Sequence, residues 1–386
     1  MKILYIFDED NKYGAAKAGV EMILEMKNKF NITPIVITSK KGQLNKIFND
    51  NQIENYVTFH HKFIFLKSIS LIKYLVKIIP RYIRYKLGNF VAMHIISKKI
   101  DMNKIDYIHA NNSGLDLGIL LAKKYNKPNV IHLREYGTGD TEYHIKTYRK
   151  NYIKFFNRYC TKFIAISNSL REFWEKKGLD KNKIETIYDG VDVSKIQKKD
   201  RYFVNKKVGF IVLGSISEGK GQATFLKTIN NLNYDIKEKI YIDIVGSGTK
   251  EDETKIRDLI RKYNLEQFVF FKGYDSEIGA KLKKYDVGVV CSDVEGFGRV
   301  TIEYMAAGLC VLASNKGANI ELVNNNINGL IYDKDTEDDL NNKIEYLVNN
   351  QEQILKLGKN SENTVYKYSV QKNCNDIIDK IYKEKQ

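Results

Sequence analysis

Two glutamates, Glu295 and Glu303, stand either side of seven residues in the stretch 293-DVEGFGRVTIEYMAAGLCVLASNKG-317. A tight turn, Gly296-Phe297-Gly298, follows the first carboxylate. Upstream, 284-KYDVGVVCS-292 reads as a short apolar strand, and Val300 to Ala307 reads as the first turns of a helix. One glutamate therefore falls on a strand-to-helix loop and the other about one turn into the helix. The glycines leave backbone N–H groups open beside a helix N-terminus, where unpaired donors and the helix dipole favour an anion. A carboxylate next to an anion site suits a ligand with both hydroxyls and phosphates, and a sugar nucleotide is such a ligand. A glutamate placed for the helix dipole explains one carboxylate but neither the spacing nor the second.

Cations stand in two places nearby. The strand ending at Leu213 runs into 214-GSISEGKGQ-222, where Gly214, Gly219 and Gly221 shape a loop before a helix and Lys220 offers a mobile charge. Arg299 directly follows the Gly-Phe-Gly turn, where its guanidinium fork suits phosphate oxygens, against the plainer reading of a surface pair with Glu295. Two histidines sit at strand ends, His132 in 129-NVIHLREYG-137 and His109 in 107-YIHANNSG-114. Ends of this kind in a doubly wound sheet face its ligand crevice. The following Arg134-Glu135 favours His132, although a lone strand-end histidine is commonly structural.

These motifs must be held by an alternating strand–helix chain. Regular alternation along both halves argues for parallel sheets with crossover helices. Strands are expected at 2–7, 33–38, 107–110, 129–132 and 162–167, with helices at about 18–30, 115–125, 143–160 and 169–177. The second half repeats the pattern with strands at 208–213, 240–245, 269–272 and 287–291. Its helices are expected at 221–231, 251–263, 276–284, 337–349 and 351–361. At 386 residues the chain exceeds one ordinary core and fits two α/β domains. A boundary falls near Asp189-Gly190-Val191-Asp192, and the closing segment 369–382 is amphipathic.

The Glu-x7-Glu string, with Gly296, Gly298, the small run 305–308 and Val311-Leu312-Ala313, resembles retaining glycosyltransferases of family 4. The resemblance covers nearly the whole chain, closely over 186–333 and loosely over 35–105. It implies a GT-B fold: α/β, two Rossmann-like doubly wound parallel-sheet domains facing a central crevice, with the C-terminal helix crossing back. The domains are expected at 1–187, with 366–386 returning to it, for the acceptor, and at 188–365 for the sugar-nucleotide donor. It implies further that Lys220 binds the donor diphosphate, Glu303 the ribose hydroxyls and Glu295 the transferred sugar. His132 lies beside the reacting sugar in that family, Tyr274 by the nucleotide base, and Gly14 where substrate approaches backbone. Arg134, Glu135 and His109 are acceptor-side candidates. Two departures stand out. Many relatives carry Arg directly after the first glycine of the lysine loop, and here the residue is Ser215, so Arg299 is expected to supply the missing charge. Asp189 replaces the hinge Asn of many relatives.

Composition narrows the partners. Net charge is +16 with pI about 9.3, yet no nucleic-acid-binding signature is present. From Lys62 to Lys99 nine Lys or Arg residues alternate with bulky apolar ones and no Asp or Glu intervenes. That describes an amphipathic basic helix suited to an anionic membrane surface. The four cysteines show no metal-ligand spacing and read as buried reduced thiols of a cytosolic protein. The 3–7 run is a first strand, not a signal peptide, and no apolar run reaches a bilayer's width. The reading is a retaining glycosyltransferase of hexosyl type in cell-surface polysaccharide synthesis, such as capsule. It would use a nucleotide sugar, expected to be a UDP-sugar, and a carbohydrate acceptor expected to be lipid-linked. No cofactor and no metal are expected. The enzyme would be cytoplasmic, peripheral at the inner face of the membrane, with a homo-oligomer left open. The alternatives are a catalytically silent GT-B subunit that binds acceptor for a partner transferase, and a sugar-nucleotide epimerase.

Overall fold

The computed structural model describes residues 1–7, 14–60, 71–136, 149–199, 207–336 and 338–383. The chain divides into two compact units, Met1–Gly190 with Val370–Gln386, and Val191–Ser369. The first begins with β1 (Lys2–Ile6), α1 (Gly14–Lys29), β2 (Thr33–Thr38), α2 (Gln43–Asp50) and β3 (Glu54–Val57). It continues through α3 (Leu71–Lys99), β4 (Tyr107–Ala110), α4 (Asp116–Tyr125) and β5 (Asn129–Leu133). Then come α5 (Arg149–Tyr159), β6 (Lys162–Ala165), α6 (Asn168–Lys176) and β7 (Ile184–Thr186). The sheet order is β3-β2-β1-β4-β5-β6-β7, and every pairing is parallel. Its central strands are buried without alternation, as strands covered by helices on both faces must be.

The second unit runs β8 (Val208–Leu213), α7 (Gln222–Asn231), α8 (Tyr234–Lys237), β9 (Ile240–Val245), α9 (Lys250–Lys262) and β10 (Val269–Gly273). It continues with α10 (Ile278–Lys281), β11 (Val287–Val290), α11 (Arg299–Ala306), β12 (Cys310–Ser314) and α12 (Asn319–Leu322). It closes with β13 (Gly329–Tyr332), α13 (Asp339–Asn349) and α14 (Gln351–Glu362). Here the order is β10-β9-β8-β11-β12-β13, again all parallel. In both sheets the winding reverses beside the first strand, between β1 and β4 and between β8 and β11. Ligands of doubly wound sheets bind outside the strand C-termini at such points.

The last helix, α15 (Val370–Ile377), returns to the first unit and continues as a π turn to Tyr382. Its Cys374, Ile377, Ile381 and Tyr382 join Ile3, Tyr5, Met22, Ile23 and Met26 in one core. Val191 N donates to Tyr368 O at 2.9 Å, and Val191 pairs with Ser369, so the chain enters and leaves the second unit side by side.

Several elements differ from the sequence reading. Helix α1 opens at Gly14, ahead of the start expected near 18, because Ala15 and Ala16 are good helix formers and extend it. The expected helix over 276–284 is α10 followed by a 3₁₀ turn, Leu282–Lys284. Strands β3, β7, β12 and β13 and helices α2, α8 and α12 were not foreseen; they are only three to eight residues long, and β3 carries the polar sequence ENYV. The basic segment is helical over Leu71–Lys99 with Pro80 inside, while 62–70 lies outside the described residues, as does 143–148 of the helix expected at 143–160. All four cysteines are buried and free. Among the described residues no helix is long and apolar enough to cross a membrane.

Candidate active site

In the second unit the loop after β8 and the loop after β11 close on one another at the point where the winding reverses. Asp293 N donates to Gly219 O at 2.9 Å, and Cys291 Sγ lies 3.2 Å from Lys220 O. Gly221 makes this possible. Its φ of +74° is in the left-handed region, and a Cβ there would stand 2.0 Å from Cys291 O, so only glycine lets the two backbones meet. The contact brings Lys220 Nζ to 2.9 Å from Glu295 Oε2, which also accepts from Ser292 Oγ at 3.1 Å. The pair is partly shielded, with the side chains 31% and 15% exposed. Behind Glu295, Ala318 N donates to its carbonyl at 2.8 Å. Lys334, from the loop after β13, donates to Cys291 O at 2.7 Å and pairs with Asp293.

Helix α11 carries the second carboxylate. Gly298 caps it in the left-handed conformation, φ +97°, and Arg299 is its first residue. Arg299 and Glu303 are four apart and so share a helix face. The helix is locked in place by Tyr304, which is fully buried: its hydroxyl accepts from Leu213 N at 2.7 Å and donates to Ile211 O at 3.2 Å. Gly288 leaves room for that ring, since a Cβ there would lie 2.3 Å from it. One tyrosine therefore pins α11 to both strands, β8 and β11, that flank the reversal. Phe297 is buried with its ring 6.0 Å from that of Tyr368, so it anchors the turn. Ser215 is exposed on the β8 loop, and its carbonyl accepts from Gln222 at 2.8 Å. Tyr274 is 53% exposed just beyond the edge strand β10, two strand spacings from β8, about 10 Å.

The first unit gathers the other candidates. His109 and His132, read from sequence as competitors, form one pair: His109 Nε2 is 2.8 Å from His132 Nδ1. His109 Nδ1 is 2.6 Å from the Tyr382 hydroxyl, delivered by the returning segment. Both imidazoles are buried. Burial, and then the charge of Arg134, pull His109 down to about 3 and His132 well below the usual histidine range. His132 Nε2 is buried and has no hydrogen-bond partner among the described residues. Arg134 turns inward. Its Nε donates to Asn111 O at 3.0 Å, Nη1 pairs with Asp189, and Nη2 approaches His132 Nδ1 at 3.4 Å. Asp189 thus neutralises a buried arginine. Glu135 accepts from Ser113 Oγ at 2.6 Å and from Ser113 N at 3.2 Å. Gly14, with φ +39°, opens α1, and a Cβ there would meet nothing within 4 Å.

Sequence reasoning missed Tyr382, Ser292 and Tyr304. Only Tyr304, as the neighbour of Glu303, had a signal: a large ring beside the small-residue run. Tyr382 lies 273 residues from His109, and no local pattern links them.

Two doubly wound parallel units in one chain, with the last helix returned to the first, define a GT-B protein. The known families agree. "Glycosyl transferases group 1" matches residues 193–364, and "Glycosyltransferase Family 4" matches 58–195. Its fold is that of GT-B proteins, and the two glycosyltransferase models together span residues 58–364. It is 27% identical over 345 residues to an uncharacterised glycosyltransferase of Methanocaldococcus jannaschii, covering 87% of each chain. It is 24% identical to the N,N'-diacetylbacillosaminyl-diphospho-undecaprenol alpha-1,3-N-acetylgalactosaminyltransferase of Campylobacter jejuni, over 75% of this chain and 81% of that one. Among solved structures, Anabaena HepE in complex with UDP superposes with a TM-score of 0.81 at 18% identity, over 99% of this chain and 100% of that one.

Proposed function

We propose that this chain moves a sugar from a UDP-sugar to a carbohydrate acceptor carried on a lipid, with retention at the anomeric carbon, in the synthesis of a cell-surface polysaccharide. The observation that carries the reading is the Lys220–Glu295 pair at the reversal of the second sheet, beside a helix start bearing Arg299 and Glu303. An ammonium, a guanidinium and the amides of Gly296–Gly298 suit a diphosphate, whose charge grows as the sugar leaves. Glu303 accepts from ribose hydroxyls, and Glu295 favours positive charge at the anomeric carbon. Tyr274 takes the base side and Ser215 the phosphate side. His132 bonds a sugar hydroxyl, with Gly14, Glu135, Arg134 and His109 shaping the acceptor side, the last two from within the core. In the step, the bond from anomeric carbon to phosphate oxygen breaks, and the acceptor oxygen bonds to that carbon on the same face. The acceptor proton passes to the leaving phosphate, and UDP departs. No metal enters this reading. UDP as nucleotide is supported by the HepE complex, and a lipid-linked acceptor by the Campylobacter relative's name.

Helix α3 supports a place at the inner membrane face. Ile79, Ile83, Leu87, Phe90 and Val91 are each 47–72% exposed and recur at helical spacing. Arg84 and Lys86 lie exposed among them, and the helix sequence holds no acidic residue. An apolar stripe with basic neighbours matches an anionic lipid surface.

The test is the purified chain with a panel of nucleotide sugars and lipid-linked acceptors, read by UDP release and by product NMR. Acceptor-dependent transfer with retained configuration supports the proposal. UDP binding without turnover on any acceptor points to the silent subunit, and a changed sugar nucleotide without acceptor points to an epimerase.

A further inference from the structure

The polar chain from Tyr382 to His132 has a direction. Guanidinium N–H groups only donate, so the Arg134 Nη2 that faces His132 Nδ1 at 3.4 Å requires a lone pair there. His109 Nε2, 2.8 Å from that same atom, must then carry the proton it shares. A neutral imidazole has one N–H, which leaves His109 Nδ1 as an acceptor for the Tyr382 hydroxyl at 2.6 Å. Tyr5, in the same core, directs its own proton to Met26 Sδ at 3.2 Å, so Tyr382's single proton remains for His109. Both imidazoles are neutral, since burial and Arg134 oppose a second proton on either.

We propose that Tyr382 and His109 are positioning residues that hold His132 as the Nε2–H tautomer, so that its buried Nε2–H is a fixed donor to a ligand hydroxyl oxygen. A buried donor without a partner among the described residues is one that an incoming oxygen can satisfy. Had the proton been on Nδ1, the ring would offer a bare lone pair and could only accept. The helix that returns to the first unit thereby does more than seal its core: it sets the polarity of a side chain two strands inside the sheet. The identity of the ligand as a sugar rests on the sugar-transfer reading, whereas the tautomer is a property of the first unit alone.

The experiment is nitrogen NMR of the full chain labelled at its six histidines, with His132 and His109 assigned by single substitution. Protonated and bare imidazole nitrogens resonate far apart, so the tautomer is read directly. Wild type should show His132 protonated at Nε2, and Tyr382→Phe should convert it to a tautomer mixture. That variant keeps the ring packed at 4.9 Å on Tyr107, so its fold is preserved. In transfer assays Tyr382→Phe should lower kcat about tenfold while leaving UDP affinity unchanged, and His109→Gln, whose amide can donate to Nδ1, should retain more activity than His109→Leu. His132 protonated at Nδ1 in wild type overturns the proposal, as does an unchanged tautomer in Tyr382→Phe. If wild type transfers no sugar while the tautomer follows Tyr382, the sugar-transfer reading fails and the chain of donors stands.

Discussion

Lys220 Nζ and Glu295 Oε2 lie 2.9 Å apart although 75 residues separate them. Each neutralises the other in the free protein, and each bears a charge that a sugar diphosphate could engage. An anionic ligand must therefore compete for the ammonium, and its gain is the difference between two ion pairs. Lys220→Met should weaken UDP binding about tenfold while leaving uridine almost unaffected, because the proposed site gives the lysine to the diphosphate alone. Glu303→Ala should weaken both ligands equally, by about 1–3 kcal/mol, since its proposed partner is the ribose. Calorimetry with the two ligands separates these roles; equal losses of UDP and uridine in Lys220→Met would remove the phosphate assignment.

Arg299 is expected to replace the cation absent at Ser215. Arg299→Ala should lower kcat roughly a hundredfold with a smaller effect on donor binding, because leaving-group charge develops in the transition state. Arg299→Lys should recover little, as a point charge on a flexible stem replaces a fork. Adding Ser215→Arg to Arg299→Ala should restore part of the rate. Full activity in Arg299→Ala alone returns that residue to a surface pair.

Acid should destabilise the first unit through its histidine pair. His109 is pulled down to about 3 and His132 falls well below its usual range. Stability from each is present above the unfolded value near 6.5 and is lost as pH falls below it, at about 1.4 kcal/mol per pH unit. Asp116 opposes them. Burial pushes its carboxyl up to about 6 despite hydrogen bonds from Tyr85 and Tyr152 and the charge of Lys86, so its contribution grows as pH falls through 6. Two losses against one gain leave a net fall of about 1.4 kcal/mol per unit between pH 6 and 4 from these groups. The single tryptophan, Trp174, lies on α6 of this unit and reports its unfolding. Urea titrations should show that slope, and His109→Asn should flatten it to near zero.

The α3 stripe should bind anionic vesicles in a salt-sensitive way, since each basic residue near the surface contributes about 1 kcal/mol. Ile83→Ser with Leu87→Ser should abolish sedimentation with vesicles while UDP affinity holds. Failure of the wild-type chain to sediment at low salt makes α3 a solvated face.

Much of the fold was legible because parallel strands buried on both faces must be apolar without alternation. Strands β1, β4, β5, β8 and β11 announce themselves, and the glycines at 214, 221, 296 and 298 mark the loops that follow two of them. Short edge elements such as β3 and β7 did not, since a strand of three or four residues with polar members carries no period. Of the site, the types of Glu295, Glu303 and Lys220 and the spacing of the two glutamates were in the sequence because two loops and one helix start hold them locally. Tertiary structure alone decided the pairings. Lys220 meets Glu295 only because Gly221 lets two backbones close, and Arg134 turns inward because Asp189 awaits it. His109 and His132 become one hydrogen-bonded unit because β4 and β5 are neighbours and α15 brings Tyr382 back from the chain's far end. Contacts between residues distant in sequence leave no local period to read; the closing of the sheets and the return of the last helix create them.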